Sequence, residues 1–134
     1  MARVSLPNIA AATLVPIPLA ARRLRARGYN QSEHLARRLA ARWGCPVREL
    51  LMRTRDTATQ TALTPASRLA NVAGAFQVGN ADAELPIPHS LLVLVDDVFT
   101  TGATLVAAAR ALQDAGARSI MAVTFGRAVI PDFT

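Results

Sequence analysis

The chain has 134 residues, which is the usual size of a single domain and long enough to bury a hydrophobic core. Hydrophobic residues make up 51% of it and charged residues 18%, a globular composition that argues against intrinsic disorder. The formal net charge is +6 and every basic residue is an arginine, which excludes a P-loop because that phosphate site requires a lysine.

The first predicted strand follows a weakly patterned N-terminal arm over residues 1–12. Residues 13–17 are a short apolar run of strand length. Pro16 and Pro18 each remove a backbone donor, so they suit the end of a strand better than the middle of a central one. We therefore predict that the chain leaves the sheet here and enters a special loop.

The next stretch, residues 20–28, is rich in arginine and is predicted to be a loop. Guanidinium groups bind phosphate through paired hydrogen bonds, so several of them in a short loop would form an anion site. The alternative interpretation is a solvated basic surface without a ligand. The arginines concerned are Arg22, Arg23, Arg25 and Arg27.

A helix is predicted to begin after Asn30 and to end at Trp43. Asn30 is a favourable N-cap, and Glu33 three residues later completes the pattern of a capping box. Leucines and alanines at helical spacing give this segment an apolar face, and Gly44 suits the position just after the last turn.

The middle of the chain changes from apolar to polar. After a strand predicted over residues 46–52, polar residues dominate from residue 53 to residue 73. Long loops of this kind in compact domains are usually functional or disordered. Thr64-Pro65 favours a short helix within the loop. Residues 74–78 are predicted to return as a strand, followed by a turn-rich linker over residues 79–90.

The stretch from Leu91 to Thr104 carries the strongest signal in the chain. The apolar run Leu91–Val95 is typical of a strand that is covered on both faces of a parallel sheet. Asp96 and Asp97 follow it directly. We expect both carboxylates at the carboxyl end of the strand, where open α/β sheets bind their ligands.

The turn after these carboxylates has the composition of a phosphate cradle. It leads into a helix predicted over residues 103–115, and a helix N-terminus offers unpaired N–H groups to a phosphate. The small residues permit a close approach of the backbone, and the threonine hydroxyls add hydrogen bonds. Carboxylates repel phosphate but accept from sugar hydroxyls or hold a divalent cation, so the ligand implied combines a phosphate with a polyol, as a ribose phosphate does. The cradle comprises Thr100, Thr101, Gly102, Ala103 and Thr104.

The order of the predicted elements indicates the fold class. A last buried strand is predicted over residues 119–125. Strands then alternate with helices along the chain, which is typical of an α/β fold: a doubly wound, mostly parallel sheet flanked by helices. We expect one domain over residues 1–134.

The motif from Val95 to Thr104 resembles the phosphoribosyl-pyrophosphate (PRPP) motif of type I phosphoribosyltransferases. Within that superfamily the chain most resembles the competence-associated ComF/GntX family. Two more blocks match in the order of the family: V-P-I-P-L, R-R-L-R and R-G-Y-N-Q over residues 15–31, and R-D-T, a glutamine, R-L, N-V and G-A-F over residues 55–76. The resemblance extends from about Leu14 to Arg127, which is most of the chain.

The resemblance implies a reaction: transfer of ribose 5-phosphate from PRPP to a nitrogen nucleophile, a nucleobase-like acceptor, with release of pyrophosphate. It implies that Asp96 and Asp97 are the catalytic pair and that they face a Mg²⁺ ion held mostly by the ligand. It also implies that the cradle binds the 5′-phosphate and that a mobile loop over residues 53–73 closes on the substrate. Pyrophosphate would be bound by Leu19, Ala20, Arg22 and Arg23, and the mobile loop would contribute Arg55, Gln60 and Arg68.

Some family features are missing from this sequence. Relatives commonly carry a cysteine-rich, zinc-binding segment at the N-terminus, whereas Cys45 is the only cysteine here, so we expect no zinc site and no disulfide framework. The small hood that usually receives the base is expected to be reduced. The sequence has neither a membrane-length apolar run nor a signal-peptide pattern, so we expect a cytoplasmic protein without membrane insertion. A homodimer is expected by analogy alone.

Three functions remain open from the sequence. The first is a PRPP-dependent transferase, and the second is a PRPP-binding or regulatory module without turnover. The third is a DNA-uptake protein whose arginines bind the backbone of single-stranded DNA, alongside other competence proteins. The aromatic content is only 4%, which leaves few rings on which single-stranded bases could stack.

Overall fold

The structure is a computed structural model that describes residues 11–54, 75–79, 91–99 and 102–127. Most of the predicted arm, nearly all of the polar loop with its short helix, most of the linker, and two residues of the cradle, Thr100 and Thr101, lie outside the described residues. The elements in chain order are β1 (Thr13–Pro16), α1 (Ala21–Arg27), α2 (Gln31–Trp43), β2 (Leu51–Arg53), β3 (Phe76–Val78), β4 (Leu91–Phe99), α3 (Ala103–Asp114) and β5 (Ser119–Arg127).

Strand β4 is the centre of a three-stranded parallel sheet with the order β1-β4-β5. It pairs with β1 as far as Val95, and with β5 from Leu91 to Phe99. Because all three strands are parallel, their carboxyl ends point toward the same edge of the sheet. Strands β2 and β3 form a separate antiparallel pair.

The side chains of β4 alternate between two hydrophobic clusters on opposite faces of the sheet. Leu94 packs with Leu112 of α3 on one face, where β2 and β3 also contribute. Val93 packs with Ala36 of α2 on the other face. Helices on both faces of a parallel sheet make a doubly wound arrangement, so the predicted α/β fold class is confirmed. The double coverage also explains why the run from Leu91 to Val95 contains no polar residue.

The arginine-rich stretch is a helix, which corrects the predicted loop. Alanine, arginine and leucine are strong helix formers, and α1 consists of these three residue types only. Arg25 and Arg27 lie in its last turn, where a positive charge is favoured by the helix dipole. Gly28 then ends the helix with a left-handed φ of 80°, and its N–H donates to the Leu24 carbonyl at 2.7 Å.

The two longer helices agree with their sequence signals. Helix α2 is capped by the Asn30 side chain, which accepts from the Ser32 N–H at 3.1 Å, and it ends at Gly44 with φ 69°. Glu33 does not reach back as a capping box requires; it accepts from Arg37 one turn later at 3.0 Å. No helix in the described ranges has the length and apolarity that crossing a membrane requires.

Two strand predictions need correction. The strand predicted over residues 46–52 is broken: Val47 makes an isolated parallel bridge to Leu14, and regular pairing begins only at Leu51. The last strand was predicted to be buried, yet Phe125 of β5 is 50% exposed. Within the described part of the chain β5 pairs with β4 alone, so one side of this strand is less covered than β4.

The packing of α3 predicts unequal effects of two truncations on one helix. Leu112 is fully buried against the sheet, so Leu112→Ala should lower the free energy of unfolding by about 2–5 kcal/mol through lost burial and the remaining cavity. Val106 is 44% exposed on the same helix, and Val106→Ala should stay within about 0.5 kcal/mol of the wild type. Urea unfolding followed by circular dichroism measures both. Similar losses for the two variants would contradict the packing described here.

Candidate functional site

The acid pair lies where β4 separates from β1. The pairing of β1 with β4 ends at Val95, whereas pairing with β5 continues to Phe99. Asp96 and Asp97 are therefore inside β4 rather than at its end, which corrects the predicted position. Strand β1 has left β4 by this point: the Ile17 carbonyl accepts from the Asn30 side chain, and the Asp97 N–H donates to Asp96 Oδ1. The carboxylates consequently lie beside the loop that follows β1.

A closed circuit of hydrogen bonds connects this acid pair to its surroundings. The Ile17 N–H donates to the Val95 carbonyl at 2.9 Å, and the Ile17 carbonyl accepts from Asn30 Nδ2 at 3.0 Å. Asn30 Oδ1 accepts from the Ser32 N–H, and Ser32 Oγ donates to Asp96 Oδ1 at 3.2 Å. Asp96 follows Val95 in the chain, so the circuit closes through one peptide bond. It joins the ends of two parallel strand segments to the first turn of α2.

The surroundings of Asp96 favour its neutral form. Burial is the largest cause that raises the pKa of Asp96 to about 6, and the neighbouring Asp97 carboxyl adds to the increase. The backbone N–H of Asp97, which donates to Asp96 Oδ1 at 2.9 Å, and the Ser32 hydroxyl both act in the opposite direction on that pKa. A carboxyl group with a raised pKa at a sheet edge has the character of a functional group.

The predicted cradle is described in part. Gly102 precedes α3 with φ 79°, a left-handed conformation that disfavours any residue with a side chain, so a glycine is required there. Ala103 is buried and Thr104 is half-buried at the start of the helix. The first helical hydrogen bond runs from the Val106 N–H to the Gly102 carbonyl at 2.9 Å. Helix α3 thus begins six residues after Asp97, in the stretch in which the sequence predicts phosphate binding.

The residues predicted to bind pyrophosphate follow β1 at the same edge. Leu19 is half-buried and Ala20 is buried in the loop before α1. Arg22 and Arg23 are exposed on α1, and neither forms an ion pair with another described residue. The three predicted contacts from the mobile loop, Arg55, Gln60 and Arg68, lie outside the described residues.

Three residues beside the acid pair or the loop after β1 were not predicted to be site residues. Asn30 was identified only as a helix cap, and Ser32 had no signal beyond its place in the first turn of α2. Arg53, the last residue of β2, donates from Nε to the Pro18 carbonyl at 3.3 Å, and its guanidinium lies 4.7 Å from the centre of the Phe76 ring. In the sequence, the contact of Arg53 with the loop after β1 is indicated only by the position of this arginine directly after an apolar strand segment.

The acid pair has the donor chemistry that suits Mg²⁺. Two adjacent carboxylates offer hard oxygen ligands, and Mg²⁺ commonly takes only one or two such ligands and completes its shell with phosphate and water oxygens. Among the described residues there is no group of three or more histidine, cysteine or acidic side chains that could hold a metal ion without such help. Burial raises the pKa of the Cys45 thiol, which fits a packing role for this residue.

Comparison with known proteins defines the family. The model of the phosphoribosyl transferase domain matches residues 25–128. The chain is 39% identical over 108 residues to the DNA utilization protein YhgH of Salmonella typhi, a match that covers 80% of this chain. It is 33% identical over 116 residues to Competence protein F of Haemophilus influenzae and 36% identical over 115 residues to Competence protein ComFC of Bacillus subtilis, with 86% and 85% of this chain covered.

These matches confirm the resemblance found in the sequence: the chain belongs to the phosphoribosyltransferase-like ComF family. It spans about half the length of the curated relatives that it matches, with 45% of YhgH, 50% of Competence protein F and 44% of ComFC covered. The names of these relatives connect the family with competence and the use of DNA.

The raised pKa of Asp96 predicts that this residue costs stability near neutral pH. The pKa is about 6 in the folded chain against an ordinary value of 3.8, so the folded state holds the proton more tightly and loses stability as the pH rises from about 4 to 6. Asp96→Asn removes this cost and should raise the free energy of unfolding at pH 7.5, without Mg²⁺, by roughly 1–2 kcal/mol after allowance for solvent screening. The gain should fade at pH 4.5, which urea unfolding at the two pH values would measure.

A matched control for this prediction is Asp114→Asn, because Asp114 is an exposed acid at the end of α3. Its free energy of unfolding should differ little from that of the wild type at either pH. A destabilised Asp96→Asn variant at pH 7.5 would contradict the burial argument.

Proposed function

We propose that this chain binds PRPP together with Mg²⁺ and transfers its ribose 5-phosphate to a nitrogen nucleophile, with release of pyrophosphate. The observation that carries the proposal is the position of the acid pair. Asp96 and Asp97 lie at the edge where β4 leaves β1, between the loop after β1 and the turn into α3. A polyol recognised by the carboxylates would then have one phosphate toward α3 and the other toward the loop after β1.

The proposed transfer requires the protein to position the reactants and to stabilise the charge that develops during the reaction. Departure of pyrophosphate from the anomeric carbon leaves an oxocarbenium-like ribose, so the protein has to hold the two reactants in line and balance developing charge. Asp96 and Asp97 would accept hydrogen bonds from the ribose hydroxyls and stabilise positive charge on the ring. When bound, Mg²⁺ would neutralise the pyrophosphate oxygens. The N–H groups at the start of α3 would hold the 5′-phosphate.

Arginines are well suited to the leaving group. Arg22 and Arg23 are exposed at the start of α1, five and six residues after Ile17, whose carbonyl accepts from the Asn30 side chain. Their guanidinium groups can form paired hydrogen bonds with phosphate oxygens. We include Arg55, Gln60 and Arg68 in the proposal as contacts from the predicted mobile loop, and the family resemblance alone supports them.

A binding module without turnover would use the same contacts. The fold and the acid pair are compatible with PRPP recognition in either case, because a fold by itself does not establish catalysis. The two functions differ in one product. A transferase releases pyrophosphate when a suitable nucleobase is present, whereas a binding module does not.

A DNA-binding role is the second candidate, and helix α1 supports it. No residue of α1 is buried, so its four arginines are available to a polyanion, and relatives carry names that refer to DNA utilization and competence. Nucleic-acid backbones are bound through such exposed arginines with a strong dependence on salt. This role would use the exposed surface of α1 and would not require the acid pair.

The central test is calorimetric titration of PRPP with Mg²⁺ into the wild type and into an Asp96→Asn/Asp97→Asn variant. We expect the wild type to bind and the double variant to lose at least about a hundredfold in affinity, because two charge-assisted contacts are removed. Asp114→Asn, which changes an exposed acid away from the site, should bind as the wild type does. A folded wild type that does not bind PRPP would refute the proposal, and nucleobase screening for pyrophosphate release would follow a positive result.

Salt dependence tests the DNA-binding role. If α1 contacts a DNA backbone, Arg25→Gln/Arg27→Gln should weaken binding to a labelled single strand and reduce the slope of log affinity against log salt by about 1–2. Arg110→Gln/Arg118→Gln removes two exposed arginines elsewhere and is the matched control. Fluorescence anisotropy at several salt concentrations measures the slopes. Equal slopes for both variants would exclude α1 as the contact surface.

A further inference from the structure

Ser32 is a buried polar residue whose hydroxyl bonds a side chain far away in the sequence. It is only 4% exposed, although it lies in the first turn of α2, and Ser32 Oγ donates to Asp96 Oδ1 at 3.2 Å across 64 residues of chain. Capping of this first turn is already provided by Asn30, whose Oδ1 accepts from the Ser32 N–H, so the Ser32 hydroxyl is not needed as a cap. Its hydroxyl therefore acts on Asp96 and not on the helix.

The orientation of Asp96 depends on two donors. The Asp97 N–H reaches Asp96 Oδ1 at 2.9 Å, and the Ser32 hydroxyl reaches the same oxygen from another element. The Asp97 N–H is adjacent in the chain and is carried along by any movement of β4. Among the described residues, Ser32 is the donor that ties the Asp96 carboxylate to a second element, because α2 is held on the sheet by the packing of Ala36.

We propose that Ser32 is a positioning residue that holds the Asp96 carboxylate in the orientation needed to accept the ribose hydroxyls, and that Asn30 holds Ser32 in place. This inference rests on the proposed PRPP site and adds to it two residues that the family motif of the acid pair does not contain. Neither residue contacts the ligand in this proposal.

Asn30 adds a second consequence. It is 8% exposed. Its Oδ1 accepts a hydrogen bond from the Ser32 N–H at 3.1 Å, and its Nδ2 donates one to the Ile17 carbonyl at 3.0 Å. Ile17 begins the loop that leads to the residues predicted to bind pyrophosphate. The same amide thus sets the position of Ser32, which orients the ribose contact, and the start of the pyrophosphate loop. In the proposed site, one buried side chain therefore links the residue behind the ribose contact to the start of the pyrophosphate loop.

The experiment separates the two halves of PRPP. Affinities of ribose 5-phosphate, of inorganic pyrophosphate with Mg²⁺, and of PRPP with Mg²⁺ are measured by calorimetry for the wild type, Ser32→Ala and Ser32→Thr. Ser32→Ala should weaken ribose 5-phosphate and PRPP by roughly tenfold, the value of one hydrogen bond to a charged group, and leave pyrophosphate within about twofold. Ser32→Thr keeps the hydroxyl and should recover most of the loss.

Glu33→Gln is the matched control, because Glu33 is the next residue of α2 and contacts Arg37 instead of the acid pair. It should leave all three affinities unchanged. A threonine methyl can strain a buried position, so the difference between the ribose and pyrophosphate ligands in Ser32→Ala is the deciding measurement. Circular dichroism confirms that each variant is folded at the temperature of the titration.

The outcomes separate this inference from the proposed function. Equal weakening of both partial ligands in Ser32→Ala indicates a general distortion and overturns the positioning role. Unchanged affinity for ribose 5-phosphate in that variant overturns it as well, while the PRPP site itself stands. A folded wild type that binds none of the three ligands overturns the proposed function and this inference together.

Discussion

Burial of β4 on both faces is the constraint on which the rest of this structure depends. Its side chains alternate between a cluster closed by α3 and a cluster closed by α2, so the strand can only be the centre of the sheet. Both neighbours pair with it in parallel, which brings the chain that follows β1 and the acidic residues of β4 to one edge. A strand in which two carboxylates follow the apolar run is stable only if those carboxylates emerge at that edge, because charged groups are costly to bury. The position of the site follows from the packing of the core.

The hydrogen-bonded circuit at this edge compensates only in part for the burial of polar and charged side chains. Asn30 and Ser32 are buried, and each has its hydrogen-bonding partners within the circuit, so neither leaves an unpaired group. Asp96 remains the exception: its burial raises its pKa to about 6, and no described cation compensates for its charge. A residue that lowers the stability of the fold is common at functional sites, because its identity is selected for binding and not for stability. A ligand with donor hydroxyls or a divalent cation would relieve it.

Sequence similarity defines the family of this chain, and particular side chains carry its proposed functions. The match to the phosphoribosyl transferase domain, and relatives named for competence and DNA utilization, establish the family. The acid pair and the glycine before α3 are the features on which the proposed binding of a phosphorylated sugar rests. Helix α1 carries four exposed arginines, of which the proposed PRPP site uses only Arg22 and Arg23. The two proposed functions therefore use neighbouring but distinct groups, and single variants can separate them.

The sequence alone determined the fold class, the central strand and two of the helices, because these depend on local signals: an unbroken apolar run, an Asn cap before α2 and glycines after the helices. It also indicated the acid pair and the glycine turn, since their chemistry can be read in one continuous stretch. It failed where the answer depends on which segments meet. The arginine stretch was expected to be a loop, β5 was expected to be buried, and the carboxylates were expected at the end of β4. Only the tertiary structure decided that β5 has one described neighbour, that β1 leaves β4 before the carboxylates, and that Ser32 meets Asp96. Contacts between residues 64 positions apart are set by packing of whole elements, and no local pattern encodes them.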